Sequence, residues 1–198
     1  MAAGRKRTFD KERALETAMR VFWRQGFVGT SISDLTDALG INKPSLYAAF
    51  GNKEQLFVSA LIRYGGRYGL PHAARLLEPA EAPLRERLRI YLLSVAAMIT
   101  DPTLPGGCLV ATSIREAGGD KLPSEAARTL GEINQETRRM LETVFVREAE
   151  RGAFSGSKDP SVLAAYVMSL MLGMAVMARS GLGLDELEAV VKLAVDVV

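Results

Sequence analysis

Residues Thr30 to Lys53, TSISDLTDALGINKPSLYAAFGNK, form the stretch that decides the fold. Ser31 followed by Asp34 is a capping-box pattern that starts one short helix, and a glycine ends it. Asn42 is a good N-cap for a second helix, whose first turn accepts Pro44 because no N–H is needed there. Two short helices joined by a tight turn predict a helix-turn-helix, a unit whose second helix enters the major groove of DNA.

Helical signals continue on both sides of this stretch. Asp10 can cap a preceding helix that runs to about Gln25, and Lys53 opens a following one. Further helical patterns span about 84–100, 106–118, 123–151, 159–180 and 184–197. We find no alternating strand pattern and no internal repeat. We therefore predict an all-α chain, with an N-terminal three-helix helix-turn-helix domain and a larger helical domain.

A glycine-rich segment, Gly65-Gly66-Arg67-Tyr68-Gly69-Leu70-Pro71, separates the two groups of helices. Glycine and proline together interrupt regular structure, so this segment predicts a domain boundary. We assign residues 1–64 to a DNA-binding domain and residues 65–198 to a ligand-binding and dimerisation domain.

The charge of the chain is unevenly distributed. Residues 1–64 carry ten Lys and Arg against six Asp and Glu, whereas the remaining residues carry fifteen against seventeen. A modestly basic end on a near-neutral body suits a small DNA contact surface better than a polycation that coats nucleic acid. An excess of four charges is also within ordinary scatter.

Cysteine and histidine usage excludes several classes of protein. The single cysteine, Cys108, rules out an internal disulfide framework and fits a reducing cytoplasm. With one histidine, His72, beside one cysteine, we expect no zinc site and no other metal or cofactor. The basic N-terminus leads into an amphipathic helix and lacks the apolar run of a signal peptide, so we expect a cytoplasmic protein.

Polar and basic side chains cluster at the starts of the predicted short helices. Hydroxyl and free N–H groups at a helix start can hold a phosphate, and a short helix can bring further side chains to base edges. The candidate DNA-binding residues are Thr30, Ser31, Asn42, Lys43, Pro44, Ser45, Tyr47 and Lys53. Taken singly, Tyr47 is equally consistent with a half-buried core residue, and the two lysines with solvated surface charges.

The same region resembles the signature of the TetR family of bacterial transcriptional regulators. The residues that carry the resemblance are Gly26-Phe27, Gly29-Thr30-Ser31, Leu35, Leu39-Gly40-Ile41, Lys43-Pro44-Ser45-Leu46-Tyr47, Phe50 and Asn52-Lys53-Glu54. In the second half, Gly106 to Val110 followed by Glu116 is similar to a subgroup with a Gly-Cys-Leu segment. One departure is Ala48-Ala49, where many relatives carry a bulkier aromatic residue or histidine.

The resemblance implies an Ω-shaped homodimer whose two recognition helices enter successive major grooves of palindromic double-stranded operator DNA. The contact residues that it carries over are Thr30, Lys43, Pro44, Ser45, Tyr47 and Lys53. It also implies a regulator, most often a repressor, that a small molecule releases from its operator. The alternative is an architectural DNA-binding protein that responds to no ligand.

The second half offers a pocket without catalytic machinery. Residues 84–198 contain no histidine and no Ser-His or Cys-His pair, so we do not expect an enzyme. Apolar helices with sparse polar groups are typical of a small-molecule site, which predicts a partly apolar effector. The candidate ligand-binding residues are Tyr91, Met98, Cys108, Thr112 and Glu116. Cys108 follows two glycines at a predicted helix start, where a helix dipole can lower a thiol pKa. This suits a sensor of oxidants or electrophiles, but a buried packing cysteine is the favoured interpretation.

The last two helices carry more apolar surface than one core needs. The segment 162–178 is apolar nearly all round, but it is short for a membrane span and lacks flanking aromatic belts, so we expect no membrane partner. Such helices predict a four-helix interface between two copies of the chain. The candidate interface residues are Ala165, Ser169 and Gly173, spaced by four, and Leu187, Val191 and Ala194 on the apolar stripe of the last helix.

Overall fold

The computed structural model describes residues 10–77, 82–119, 121–153, 159–196 and 198. In this part of the chain the regular structure is helical. The helices are α1 (Lys11–Gln25), α2 (Ile32–Leu39), α3 (Lys43–Phe50), α4 (Lys53–Tyr64), α5 (Leu70–Leu77), α6 (Leu84–Thr100), α7 (Leu109–Ala117), α8 (Ser124–Glu150), α9 (Pro160–Arg179) and α10 (Leu184–Val195). The all-α prediction is confirmed.

Side-chain caps fix the ends of the first four helices. The Asp10 carboxylate accepts the N–H groups of Glu12 and Arg13, each at 3.1 Å. Ser31 and Asp34 form the predicted capping box at α2. The Asn42 side chain accepts the Ser45 N–H at 2.9 Å and so starts α3. These contacts are local in sequence, so the boundaries of these helices follow from residues within one turn.

The N-terminal core is built from large apolar side chains of α1 to α4. Phe22, Trp23, Leu46 and Phe57 are fully buried in it. The same core continues into the second half of the chain through Leu109 of α7 and through Leu122, Ala126 and Leu130 at the start of α8. Helix α4 also packs directly on α8. The two halves therefore share one packed interface.

The glycine-rich segment is helical and does not interrupt the chain as a loop. Residues Gly65–Gly69 form a π-helical turn that connects α4 to α5, and the Leu70 N–H donates to the Gly65 carbonyl. Pro71 has no N–H for the Arg67 carbonyl, and its ring would clash with that carbonyl in an α-helix, so the wider turn relieves both problems. Sequence patterning missed α5 because proline and glycine obscure its periodicity.

The second core lies among α5, α6, α8, α9 and α10. Its fully buried members include Leu88, Leu141, Phe145, Val167 and Val191. A buried ion pair joins α6 to α8, where the Arg87 guanidinium donates to Glu148 at 2.6 Å and to the Leu76 carbonyl at the end of α5 at 3.0 Å. Helices α6, α8, α9 and α10 begin and end close to the predicted residues. Helix α7 starts later than predicted, after Gly106 and Gly107, which have φ angles of +79° and +62°.

Helix α9 has a buried face and an uncovered face. By length and composition it could cross a membrane, with a mean hydropathy of 2.0 over an 18-residue window. Leu163, Val167 and Met174 pack into the second core. The opposite face exposes Val162, Ala165, Ser169, Gly173, Val176 and Met177.

The predicted interface stripe of α10 faces inward, which corrects that part of the sequence prediction. Leu187, Val191 and Ala194 are buried within the protomer, where α10 packs on α6. Among the outward residues of α10, the large apolar side chain is Leu193, which is 73% exposed. An amphipathic pattern shows that one stripe is covered, but it does not show whether the cover is the same chain or a second copy.

Candidate DNA-binding surface and its connection to the second half

Helix α3 presents a compact outward face. Leu46 is fully buried and Phe50 is 9% exposed, which anchors one side of this eight-residue helix to the N-terminal core. The opposite side is exposed and carries Lys43, Pro44, Ser45, Tyr47 and Ala48. Tyr47 is 47% exposed, so it is not a core residue. A helix with small residues beside one cation and one aromatic ring fits the dimensions and edge chemistry of a major groove.

Some of the candidate residues that flank α3 are exposed, whereas Thr30 is buried and hydrogen-bonded within the protein. Ser31 and Asn42 are exposed N-caps whose side-chain oxygens accept backbone N–H groups. Thr30 differs from the prediction, because it is only 1% exposed and its hydroxyl donates to the Gly26 carbonyl at 2.6 Å. The Thr30 side chain therefore stabilises the turn after α1, and any phosphate at the start of α2 would meet Ser31.

Lys53 lies at the start of α4 and is partly buried. Its ammonium group sits over the Phe27 ring, 4.2 Å from the centroid. Burial lowers the pKa of Lys53, while the nearby carboxylates of Glu116 and Asp34 act in the opposite direction. A cation–π contact of this kind is worth about 0.5–2 kcal/mol and holds the charge in a defined place.

The candidate ligand-binding residues fall into two groups. Tyr91, Met98 and Cys108 belong to or pack against the second core, and the Tyr91 hydroxyl donates to Met171 Sδ at 3.2 Å. Thr112 and Glu116 instead have their polar groups paired with protein atoms at the junction of the two halves. None of the five lines the surface cavities of about 650 and 690 Å³, which lie next to Pro83 and Pro105 respectively.

Cys108 has a different environment from the one predicted. The thiol is held between α4 and α7, where the Tyr64 hydroxyl donates to Cys108 Sγ at 3.2 Å. Burial raises the pKa of the Cys108 thiol, and the Tyr64 hydroxyl and the N–H groups of Val110 and Ala111 offset only part of that effect. The expectation of a lowered pKa from the helix dipole was therefore wrong, because desolvation is the larger effect here.

The end of α1 forms a polar junction with the second half. The Glu116 carboxylate of α7 accepts the N–H groups of Phe27 at 2.9 Å and Val28 at 3.2 Å. Arg179, at the end of α9, donates to the carbonyls of Trp23 and Arg24. Sequence reasoning missed Arg179, since nothing in its neighbourhood along the chain indicates a partner about 155 residues away.

Further contacts reinforce the junction from the loop between α6 and α7. The Trp23 indole donates to the Gly107 carbonyl at 3.3 Å, and Arg20 donates to the Thr103 carbonyl at 3.2 Å. Trp23 also meets the rings of Tyr64 and Tyr68 edge to face, at centroid distances of 4.8 and 5.0 Å. Helix α1 is therefore one structural connection between the DNA-binding surface and the second half, beside the packing of α4 on α8 and the covalent path through α4.

The described part of the chain contains no cluster of metal-binding side chains. There, no three His, Cys, Asp or Glu side chains lie close enough together to hold a metal ion. The junction and the α3 surface instead use backbone groups, hydroxyls and isolated charges, which are groups that bind and position a partner.

Comparison with known proteins agrees with this geometry. Residues 14–60 match the family described as bacterial regulatory proteins, tetR family. Residues 85–193 match the family described as tetracyclin repressor-like, C-terminal domain. The first match covers the helix-turn-helix and the second covers most of the remaining helices.

Named relatives extend the match over the whole chain. The HTH-type transcriptional repressor ComR of Escherichia coli (strain K12) is 33% identical over 184 residues, 93% of this chain and 86% of ComR. The HTH-type transcriptional repressor BdcR of the same strain is 39% identical over 111 residues, 56% of this chain and 55% of BdcR. A solved structure of the TetR family regulator CifR, a cysteine mutant complexed with 26bp double-strand operator DNA, is 33% identical with a TM-score of 0.82 and covers 98% of each chain.

Two domain matches in the expected order and a relative of nearly equal length confirm the resemblance carried by Gly26 to Glu54. The chain belongs to the TetR family of bacterial transcriptional regulators and is not an enzyme.

Proposed function

We propose that this chain is a cytoplasmic repressor that binds palindromic double-stranded operator DNA as a homodimer and leaves it when a small molecule binds. The observation that carries the proposal is the outward face of α3, where Lys43, Pro44, Ser45 and Tyr47 stand exposed on a helix anchored by Leu46 and Phe50. ComR and BdcR are named repressors, and CifR was solved with operator DNA.

The exposed residues of α3 and its flanks would make different kinds of contact with DNA. Lys43 supplies a charge for a phosphate or a guanine edge, and Pro44 and Ser45 allow close approach to base edges and thymine methyl groups. Tyr47 supplies a ring and a hydroxyl to the backbone or a base. Ser31 and Asn42 flank the helix as exposed caps, and Lys53 adds a positioned charge at the start of α4. Phosphate contacts position a protein on the duplex but do not read its sequence, so we assign sequence specificity to the α3 residues.

The uncovered face of α9 supports the homodimer. Val162 is 63% exposed and Val176 is 60% exposed, and the small residues Ala165 and Gly173 lie between them on the same face. An apolar strip with small residues at its centre allows close approach of another helix. Leu193, on the following helix α10, is also exposed. If each of two copies contributes α9 and α10, these helices form a four-helix interface.

The interior near Tyr91, Met98 and Cys108 is our candidate for the effector site. It combines apolar side chains with few polar groups, and Cys108 touches Tyr64 at the end of α4. A ligand there would contact the helix that leads to the DNA-binding half. Release follows if the ligand binds more tightly to a conformation in which the two α3 helices no longer match the operator.

The salt dependence of operator binding tests the DNA surface. Lys43→Ala should weaken binding and reduce the slope of log Kd against log salt by roughly one per protomer, because one phosphate contact releases about one counterion. Arg139→Ala, an exposed cation on α8, is the matched control and should leave the slope unchanged. An unchanged slope for Lys43→Ala would remove Lys43 from the phosphate contacts.

A thiol-reactive electrophile tests the effector site. If modification of Cys108 is the signal, the reagent should release wild-type protein from its operator and should fail to release Cys108→Ser. Because burial raises the thiol pKa, the reaction should accelerate as the pH increases. An equal response of both proteins would reject Cys108 as a sensor. In a separate experiment, metabolite mixtures that leave operator affinity unchanged would favour the alternative of an architectural DNA-binding protein that responds to no ligand.

A further inference from the structure

Two side chains of opposite charge hold the end of α1 from two different helices. Glu116 of α7 binds the N–H groups of Phe27 and Val28, and Arg179 of α9 binds the carbonyls of Trp23 and Arg24. We call this arrangement the α1 clamp. Both of its charged members belong to the second half, and all of its backbone partners belong to the DNA-binding half.

The clamp matches the electrostatics of a helix end. The last carbonyls of α1 have no intrahelical partner, so a guanidinium there satisfies them and complements the negative end of the helix dipole. The N–H groups of the turn that follows α1 are likewise free of helix partners, and a carboxylate accepts them. Glu116 is only 8% exposed, so the two N–H groups, and not solvent, serve as hydrogen-bond donors to its carboxylate.

Close packing makes the clamp specific to one orientation. Gly26 has a φ of +76°, and a Cβ at this position would lie 2.3 Å from Glu116 Oε1. A Cβ on Gly107 would lie 3.0 Å from the Ala175 carbonyl of α9. Arg179 also donates to the Thr112 hydroxyl at 3.1 Å, which joins α9 to α7. The two helices that hold α1 are therefore tied to each other.

Arg179 connects the clamp to the uncovered face of α9. The same helix that ends at Arg179 exposes Val176, three residues earlier, on the face proposed for the second copy. From that face to α3 the path runs through one side chain, the end of α1 and the N-terminal core. Together with the packing of α4 on α8, this path relates the position of each α3 to the uncovered face of α9.

We infer that Glu116 and Arg179 are positioning residues that fix the DNA-binding half on α7 and α9 and thereby set the half-site spacing that the dimer accepts. This inference rests on the proposed function, because spacing has meaning only for a dimer on a palindromic operator. Loss of either residue removes one of the contacts that orient the DNA-binding half, beside the packing of α4 on α8, and so loosens that orientation but leaves the outward face of α3 intact.

The test uses duplexes that carry two half-sites selected from randomised DNA, at the selected spacing and with one base pair inserted or deleted. Wild-type affinity should fall by about tenfold or more on the altered duplexes, because the helical phase of the second groove changes. Glu116→Ala and Arg179→Ala should reduce this discrimination to about threefold or less, while affinity for a single half-site stays within about twofold of wild type. Glu132→Ala and Arg139→Ala, surface changes on α8, are the matched controls.

The outcomes separate the inference from the proposed function. If wild-type protein selects no palindrome, or shows no spacing preference, the proposed dimeric repressor is wrong. If wild-type protein discriminates and both clamp variants discriminate equally well, the inference is wrong. Circular dichroism checks folding, and the milder Glu116→Gln and Arg179→Lys variants replace any alanine variant that does not fold. They should show an intermediate loss of spacing discrimination.

Discussion

At the scale of single residues, Gly26 combines two constraints. Its φ of +76° and ψ of 177° lie in a region that glycine alone occupies readily, and Glu116 fills the space beside it. Sequence reasoning could predict a helix stop at Gly26. It could not predict the Glu116 contact, because the two residues are 90 positions apart and no local pattern joins them.

Replacement of Gly26 by alanine should therefore be costly. We expect Gly26→Ala to lower the free energy of unfolding by about 1–3 kcal/mol from backbone strain alone. The clash of the new Cβ with Glu116 should lower it further. Urea denaturation at neutral pH measures the change. Gly131→Ala is the matched control, since Gly131 lies within α8 with open space around it, and alanine should stabilise the helix by about 0.5–1 kcal/mol. If both variants left the free energy of unfolding unchanged, the conformation assigned to Gly26 would be wrong.

His72 gives the chain a pH dependence of its own. Its Nδ1 lies 2.8 Å from the Ser94 hydroxyl, which itself donates to the Tyr91 carbonyl, so Nδ1 carries the proton and His72 is the donor. Burial and, secondly, the charge of Arg75 lower the pKa of His72 in the folded protein. The unfolded chain therefore binds the proton at a higher pH than the folded chain does.

Stability should consequently fall as the pH decreases through about 6.5, the ordinary histidine pKa, and should level off below the lowered folded pKa. Because His72 is the single histidine, His72→Asn should flatten this part of the profile. Urea unfolding of both proteins between pH 7.5 and 5.5 makes the comparison. A wild-type profile that rises towards acid pH, or a variant with the same slope, would contradict the assignment.

At the scale of elements, the caps explain why the first four helices could be predicted so closely. Asp10, Ser31 and Asn42 each act within three residues of their own position, and such contacts are visible in the sequence. The inward orientation of α10 was not visible, because a helix with one apolar stripe looks the same against its own core or a partner. The raised pKa of Cys108 was hidden for a similar reason, since the burial that raises it comes from helices that are distant in sequence, such as α4.

Two caps allow stability and DNA binding to be separated. Asn42→Ala and Asp10→Ala should each lower the free energy of unfolding by about 1 kcal/mol, because each removes a side-chain acceptor at a helix start. Asn42→Ala should also weaken operator binding several-fold, since it frays the first turn of α3, whereas Asp10→Ala should leave affinity near wild type. Fluorescence anisotropy with a labelled operator, beside urea denaturation, measures both quantities. Equal losses of affinity would mean that the α3 cap has no special part in DNA binding.

At the scale of the whole molecule, we propose that the uncovered face of α9 forms the dimer interface. Val176→Asp places a charge in a strip that we propose is buried between two copies, and desolvation of an unpaired charge is strongly unfavourable. We expect this variant to be monomeric at concentrations where the wild-type protein is a dimer. Light scattering after size-exclusion chromatography gives the mass directly.

Val146→Asp provides the control for that experiment, because Val146 is also an exposed valine but belongs to a different helix, α8. It should remain dimeric. A Val176→Asp protein that keeps the wild-type mass would place the dimer interface elsewhere on the molecule and would also remove the connection between Arg179 and the dimer axis.

At every one of these scales the proposed function depends on the outward face of α3, which we propose reads operator DNA. The most direct measurement is selection of fragments from the source genome by purified protein, followed by sequencing, for the wild type and for a Lys43→Ala, Tyr47→Ala double variant. We predict that the wild type recovers a palindromic motif and that the double variant loses it while remaining folded. Recovery of the same motif by both proteins, or of no motif by the wild type, would contradict the account.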